Sequence, residues 1–286
     1  MLKKVSCKDG FVRNFIFFRE KSFLSKGLFS DKIVMMPVIL ITNDDGIHSP
    51  GLIALFTAMK ELGDAYIVAP DRERSAVSHS LTLHRPLKVD ELREGVFSIN
   101  GTPTDCVILG VNRLLPEKPA LVASGINRGG NLGGDITYSG TVSGAIEGTI
   151  LGIPSFAISL VTGEEVKPLY FETASAFAIQ IGKYFIEKSL PPDTLLNINV
   201  PNVEKSKICG VKFTHQGKIA YNNSIKEIHD PKGKRHYWIG GTQLHMEHDQ
   251  DTDIQAVKDG YISITPIHLD LTNYEALNLL RSNFYL

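Results

Sequence analysis

The stretch Val38-Ile-Leu-Ile-Thr-Asn-Asp-Asp-Gly46 decides the fold. Its apolar, β-branched run Val38–Thr42 reads as a strand buried on both faces, because a half-exposed strand would alternate apolar with polar residues. After a polar turn, Ser49 suits a helix N-cap and Pro50 the first helical position. Leu52, Leu55, Met59 and Leu62 then recur at helical spacing, and Gly63 stops the helix. Ala65-Tyr-Ile-Val-Ala69, ended by Pro70, is a second strand of the same kind.

The alternation continues outward. Thr102-Pro103 opens a helix, with Asp105 in its first turn where negative charge suits the dipole. Ala120–Ser124 and Ser155–Leu160 read as strands, separated by a glycine-rich loop, Gly125 to Gly140, and a small-residue helix from about Val142. A helix around Tyr170–Glu187 and a strand at Leu195–Val200 follow. This is the pattern of an α/β fold, a mostly parallel sheet flanked by helices. After Pro201 the character shifts. Val211–Thr214, Arg235–Ile239 and Tyr261–Thr265 alternate like antiparallel strands, with Lys-, Gly- and Asn-rich connectors. They predict a β-rich C-terminal extension suited to contacts between subunits. Leu271, Tyr274, Leu277 and Leu280 predict a C-terminal helix from Thr272 that docks on something.

Composition narrows the function. The chain has 286 residues, 43% hydrophobic and 21% charged, with a formal net charge of -1. Nothing in that balance calls for nucleic acid or an anionic membrane, and no run approaches a membrane span. The charge is unevenly spread: residues 1–36 hold eight basic and three acidic side chains, leaving an acidic body. That leader, with Phe11–Phe18 at its centre, lacks a signal-peptide core and cleavage site. A transit peptide is argued against by Asp9, Glu20 and Asp31, and a true start at Met35 or Met36 is the favoured reading. Cys7, Cys106 and Cys209 are odd in number and lack metal-ligand spacing, which fits a reducing, cytoplasmic compartment.

In an open parallel sheet, ligands bind beyond the carboxyl ends of the strands. The residues there are Asn43-Asp44-Asp45, Asp71–Ser75, Gly125-Ile-Asn127 and Ser139-Gly140-Thr141. Adjacent carboxylates repel unless a cation or donors neutralise them, and hard oxygens suit Mg²⁺, Mn²⁺ or Ca²⁺. Ser75 and Asn127 can add neutral oxygens. Ser139-Gly140-Thr141 puts hydroxyls and free N–H groups at a helix start, where phosphate is favoured. A metal and an anion site on one rim point to phosphoryl chemistry. The competing reading of each piece is structural: Asp-Asp-Gly as a turn, Ser-Gly-Thr as a cap. His79 and His84 can assist proton transfer or serve as hydrogen-bonded structural residues. The alternating Asp249, Asp251 and Asp253 imitate a calcium loop, but Ile254 and Gly260 stand where Gly and Glu are required. Lys232-Gly-Lys-Arg235 reads as a surface loop, and Tyr237 and Trp238 as strand or interface aromatics.

Five segments carry a resemblance: Ile39–Gly51, Val68–Ala76, Ser124–Gly129, Ser139–Ala145 and Ala256–Pro266. In order and density they resemble the SurE family of survival proteins, from about Pro37 to the C-terminus. The resemblance implies a Rossmann-like domain over 37–203 and, over 204–286, a β-hairpin extension with a swapped C-terminal segment, in homodimers or homotetramers. Residues 1–36 remain an extension without counterpart. It further implies a metal-dependent nucleotidase acting on nucleoside 5′- and 3′-monophosphates, in some members on short polyphosphate, with one divalent cation per subunit. By matching positions, the metal ligands are Asp44, Asp45, Ser75 and Asn127. The phosphate contacts are Asn43, Ser139, Gly140 and Thr141, so Asn43, Asp44 and Asp45 form the expected catalytic group. The expected mechanism is in-line attack by a water whose pKa the cation lowers, with Asp45 or His79 as conceivable bases. An aspartyl-phosphate route, as in haloacid-dehalogenase-like phosphatases, needs Asp-x-Asp rather than an adjacent pair. A receiver-type signalling module would be much shorter and would lack the glycine loop.

Overall fold

The computed structural model describes residues 36–163, 168–246 and 250–284. The leader through Met35, with Cys7, and residues 247–249 of the acidic stretch lie outside the described residues. Pro37–Leu286 form one compact unit.

The first strand, β1 (Val38–Thr42), is buried along its whole length. Its side chains serve two layers, as the period of two requires. Ile39 and Ile41 pack in one cluster with Leu52, Leu55 and Met59 of α1 (Pro50–Met59) and with Phe177 and Ile181 of α4 (Phe171–Glu187). Leu40 faces the other way, toward Cys106 and Val107 of α2 (Pro103–Leu109). Each such side chain, removed from water, contributes roughly 1.5–3 kcal/mol. The caps lie where the sequence places them: Ser49 accepts from Leu52 N–H, and Thr102 with Asp105 forms a reciprocal capping box. α1 itself ends at Met59, and a short turn through Leu62 carries the chain to Gly63.

The remaining elements are β2 (Asp64–Pro70), β3 (Val89–Arg93), β4 (Val96–Ile99), β5 (Leu121–Arg128), α3 (Gly140–Ile150), β6 (Ser155–Val161) and β7 (Thr194–Pro201). They are followed by β8 (Gly210–Phe213), β9 (Ile219–His229), β10 (Arg235–Met246), α5 (Asp253–Lys258), β11 (Tyr261–His268) and α6 (Tyr274–Asn283). Among the described residues the main sheet runs β3-β4-β2-β1-β5-β6-β7-β11-β8. Its six central strands, β4 to β7 in that order, are parallel. From β1 the chain builds first toward β2 and β4, then returns to the other side through β5. The switch point therefore lies between β1 and β5, where a ligand crevice is expected.

Several readings change. β5 runs four residues past Ser124, so Asn127 sits on a strand rather than in a glycine loop. Val211–Thr214 and Tyr261–Thr265 were expected in an antiparallel extension, yet β8 and β11 complete the main sheet, and β8 pairs parallel to β11. β11 itself is antiparallel to β7. Alternation reports which face is buried and carries no information about the pairing partner. The edge strand β3, exposed along its length and rich in charge, gave no strand signal for the same reason that it resists edge pairing. The β-rich extension proper is the antiparallel pair β9–β10. Tyr237, Trp238 and Ile239 on it are exposed, as are Tyr274, Leu279 and Leu280 of α6, a helix with no buried residue. Among the described residues Cys106 and Cys209 form no disulfide. Among the described residues no helix is long and apolar enough to cross a membrane.

Candidate active site

The turn after β1 is built to hold two carboxylates at the switch point. Asn43 is fully buried, and its Nδ2 donates to the Gly46 carbonyl at 3.1 Å. Gly46 has φ of +94°, and a Cβ there would lie 2.8 Å from the Arg72 carbonyl carbon; only glycine passes so close to the next segment. Ile47 N–H then bonds Pro70 O at 2.8 Å, and Arg74 N–H bonds Asp44 O at 2.7 Å. These bonds fasten the segment carrying Glu73 and Ser75 beside the acidic pair.

Asp44 is buried against the start of α3. Its carboxylate accepts the Thr141 hydroxyl, with further backbone hydrogen bonds from Thr141 and Gly140. Burial pushes its pKa above the usual carboxylate value, and these hydrogen bonds pull the other way. A Cβ on Gly140 would lie 2.8 Å from Asp44 Cβ and 2.9 Å from its Oδ2. The glycine is what lets the carboxylate reach the helix end. Asp45 is pushed up to about 6, first by burial and further by the charges of Asp44 and Glu73, while a bond from Arg128 N–H (3.1 Å to Oδ2) pulls it down.

Asp44, Asp45, Ser75, Asn127 and Ser139 all line one cavity of about 510 Å³. Ser75 Oγ donates to Glu73 at 2.6 Å, and Asn127 Nδ2 donates to Gly129 O at 2.9 Å, which leaves the amide oxygen of Asn127 for a cation. Among the described residues no three His, Cys, Asp or Glu side chains gather as a metal cluster. The set here is two carboxylates completed by a hydroxyl and a carboxamide, an all-oxygen shell that fits a hard divalent cation. Asp44, buried, and Asp45, half-buried and raised further by the charge of Asp44, are the arrangement such a cation relieves.

The expected phosphate group divides. Ser139 lines the cavity while its hydroxyl caps α3 through Val142 N–H at 3.0 Å. Gly140 and Thr141 address Asp44, and Asn43 lies behind the turn. His79 is tied to Glu147 of α3, Nε2 to Oε2 at 2.8 Å, and neither it nor His84 lines the cavity. Lys232 and Lys234 occupy the β9–β10 turn, where their N–H groups bond Asp230 at 2.8 Å.

Sequence reasoning placed the Asp71–Ser75 segment on the rim without singling out Glu73, and missed Arg128, Asn131, Asp135, Tyr138, Leu169 and Phe171 on the cavity wall. Arg128 was within reach, since it follows Asn127 directly and the strand continues to it. Phe171 carried no signal, because its place follows from packing: its ring would lie 3.0 Å from a Cβ on Gly51.

Residues 39–223 match the family model of survival protein SurE. The 5′-nucleotidase SurE of Geobacter sulfurreducens is 52% identical over 244 residues, which is 85% of this chain and 92% of that protein. The protein of the same name from Geobacter metallireducens is 51% identical, over 85% of this chain and 96% of that protein. Among solved structures, the SurE protein from Aquifex aeolicus superposes with a TM-score of 0.77 at 47% identity, covering 86% of this chain and 99% of that one. With the matched segment spanning the acidic turn, the Ser75 segment, Asn127 and the start of α3, the chain belongs to the survival protein SurE family.

Proposed function

We propose that this protein is a divalent-cation-dependent 5′-nucleotidase that hydrolyses nucleoside monophosphates, taking 3′-monophosphates and short polyphosphate as further substrates. The carrying observation is the meeting of Asp44, Asp45, Ser75 and Asn127 on one cavity at the switch point of the sheet. The relatives named 5′-nucleotidase SurE support the substrate class. One divalent cation per subunit, Mg²⁺ or Mn²⁺ by the hardness of the donors, supplies Lewis-acid polarisation of phosphate and a lowered pKa for water when bound.

The chain's own residues do the rest. The start of α3 holds the Asp44 carboxylate before substrate arrives, so no reorganisation is needed at the moment of reaction. Ser139 presents the helix start to phosphate, with Gly140 and Thr141 behind it and Asn43 bracing the turn. Arg128, next to Asn127 on β5, offers a guanidinium matched to phosphate oxygens. Leu169 and Phe171 give the cavity an apolar side for the nucleoside. Asp45 is the better-placed proton acceptor of the two considered, since His79 is held by Glu147 away from the cavity. The exposed faces of β10 and α6 support assembly as a homodimer or homotetramer, and a sedimentation mass of one chain would remove that part of the reading.

The deciding assay is phosphate release from a panel of nucleoside monophosphates and polyphosphate with Mg²⁺, Mn²⁺ or Ca²⁺. Turnover that vanishes with chelator and returns with cation is expected; chelator-resistant turnover would refute the cation dependence. A pH prediction accompanies it. Asp45 is ionised above about 6, so protons compete with the cation below that value. Calorimetric titration of metal-free protein with Mn²⁺ should give affinity that is flat above about pH 7 and falls by about tenfold per unit well below pH 6. In the metal-free protein the sign is opposite. A carboxyl with a raised folded-state pKa contributes stability below its unfolded value and loses it as pH rises through about 6. Mn²⁺ affinity independent of pH between 5 and 8 would remove Asp45 from the ligand set.

A further inference from the structure

The acidic stretch near residue 250, which fails as a calcium loop, contains a carboxylate that the chemistry above does not use. Asp253 opens α5 and is fully buried. Its Oδ2 accepts Gly133 N–H at 2.7 Å. Its Oδ1 accepts Gly217 N–H and Ile254 N–H, both at 2.8 Å. A buried carboxylate is tolerable only when hydrogen-bonded, and here each oxygen has a backbone donor from a distant segment. An acceptor-only group is required, because an amide would turn its NH₂ toward one of those donors.

The two distant donors belong to different parts of the molecule. Gly133, with φ of +50°, begins the single turn Gly133–Thr137 that delivers Tyr138 and Ser139 to the cavity. Its carbonyl is also held, by Gln216 Nε2 at 3.3 Å. Two residues earlier, Asn131 on the same wall is fixed to β6 and β7. Its N–H bonds Asn199 Oδ1, its carbonyl accepts from Asn197 and Asn199, and its Nδ2 bonds Ser159 Oγ. The wall from Asn131 to Ser139 thus has one anchor in the sheet and a second in Asp253. Gly217, the other donor, lies two residues before β9, where the hairpin leaves the body.

We propose that Asp253 is a positioning residue for substrate: through Gly133 it sets the cavity wall from Asn131 to Ser139 that the substrate meets opposite Leu169 and Phe171, and through Gly217 it ties that wall to the root of the β9–β10 hairpin. The inference rests on the nucleotidase reading. Asp253 touches no reacting atom, and the four cation-ligand residues are carried by other segments, so its loss should separate substrate binding from cation binding.

The test is Asp253→Asn in the full chain, with AMP as substrate and saturating Mn²⁺. KM is expected to rise by about tenfold or more while kcat changes by less than about threefold. The Mn²⁺ dissociation constant should stay within about twofold of wild type by calorimetry. A lowered melting temperature with KM unchanged would mean a purely structural role and would overturn the proposal. Should Asp253→Asn fail to fold, Gln216→Leu removes only the bond to the Gly133 carbonyl. It should raise KM about two- to fivefold without changing the fold, and an unmoved KM there overturns the proposal as well. Wild-type protein that hydrolyses no nucleotide with any cation refutes the nucleotidase reading and this inference with it. Normal wild-type turnover with an unmoved variant KM refutes this inference alone.

Discussion

Asp44→Asn is expected to lower kcat/KM for nucleoside monophosphates by about a thousandfold or more while the protein stays folded. The substitution keeps shape and volume but removes a full charge from the point where a cation and phosphate would meet. It also replaces one acceptor oxygen by an NH₂, against the hydroxyl and backbone donors that Thr141 and Gly140 aim at the carboxylate. Those donors would have to reorganise, and electrostatic preorganisation is the kind of term whose loss costs factors of this size. The stability readout should move far less. Burial raises the pKa of Asp44, so ionising it is unfavourable to the folded protein, and a neutral side chain offsets part of the cost of the misplaced NH₂. Metal-free Asp44→Asn should therefore melt within a few degrees of metal-free wild type, and should lose most of the further stabilisation that Mn²⁺ confers on wild type. Thermal melts with and without Mn²⁺, run beside the phosphate-release assay, separate the two effects. Full cation-dependent activity in Asp44→Ala would end the assignment.

The parts of this design that were legible in the sequence are those governed by local rules. Val38–Thr42 announces a doubly buried strand by its unbroken β-branched run, and Ser49-Pro50 and Thr102-Pro103 announce helix starts by cap chemistry. The convergence of Asp44, Asp45, Ser75 and Asn127 follows from a topological rule, that carboxyl ends of parallel strands share a rim. What was not legible depends on depth and register. The continuation of β5 past Gly125, which resembles a strand stop, is such a case, and Arg128 goes unplaced with it although it follows Asn127 directly. β8 and β11 were assigned to the extension because alternation is silent about partners, and they close the main sheet instead. In the sequence Asp253 is only the last acid of an alternating run that fails as a calcium loop. Only the approach of Gly133 and Gly217 from distant positions turns it into a buried clamp. Likewise, Gly140 and Thr141 form the helix start that was expected, yet their hydrogen-bonding groups are directed at Asp44, an allocation set by packing distances that no spacing rule contains.

That allocation yields the second large effect, for Gly140→Ala. By helix propensity alone the change should help, since alanine is favoured over glycine within a helix by about 1 kcal/mol and Gly140 has no positive φ to protect. The added Cβ would instead lie 2.8 Å from Asp44 Cβ, 2.9 Å from its Oδ2 and 3.2 Å from Val77 Cγ2. Asp44 is buried and lies two residues past the end of β1, held at the start of α3, so it cannot swing aside into solvent. Overpacking of this kind costs about 1–3 kcal/mol, which exceeds the propensity gain, so a net loss of up to about 2 kcal/mol is expected. In a domain of this size that is a melting shift of a few degrees. Activity should suffer far more than stability. The methyl either displaces the Asp44 carboxylate or pushes the start of α3, with Ser139, away from the cavity. A displacement near 1 Å at a reacting centre costs about a hundredfold. Gly144→Ala, one turn later on the same helix, is the comparison. Its Cβ would meet Thr42 Cγ2 at 2.8 Å and Ser124 Oγ at 2.9 Å, behind the acidic pair, so it should destabilise comparably with much less effect on turnover per folded molecule. Equal activity loss in the two variants would mean that α3 tolerates no crowding anywhere. A loss confined to Gly140→Ala would trace catalysis to the contact between that glycine and Asp44.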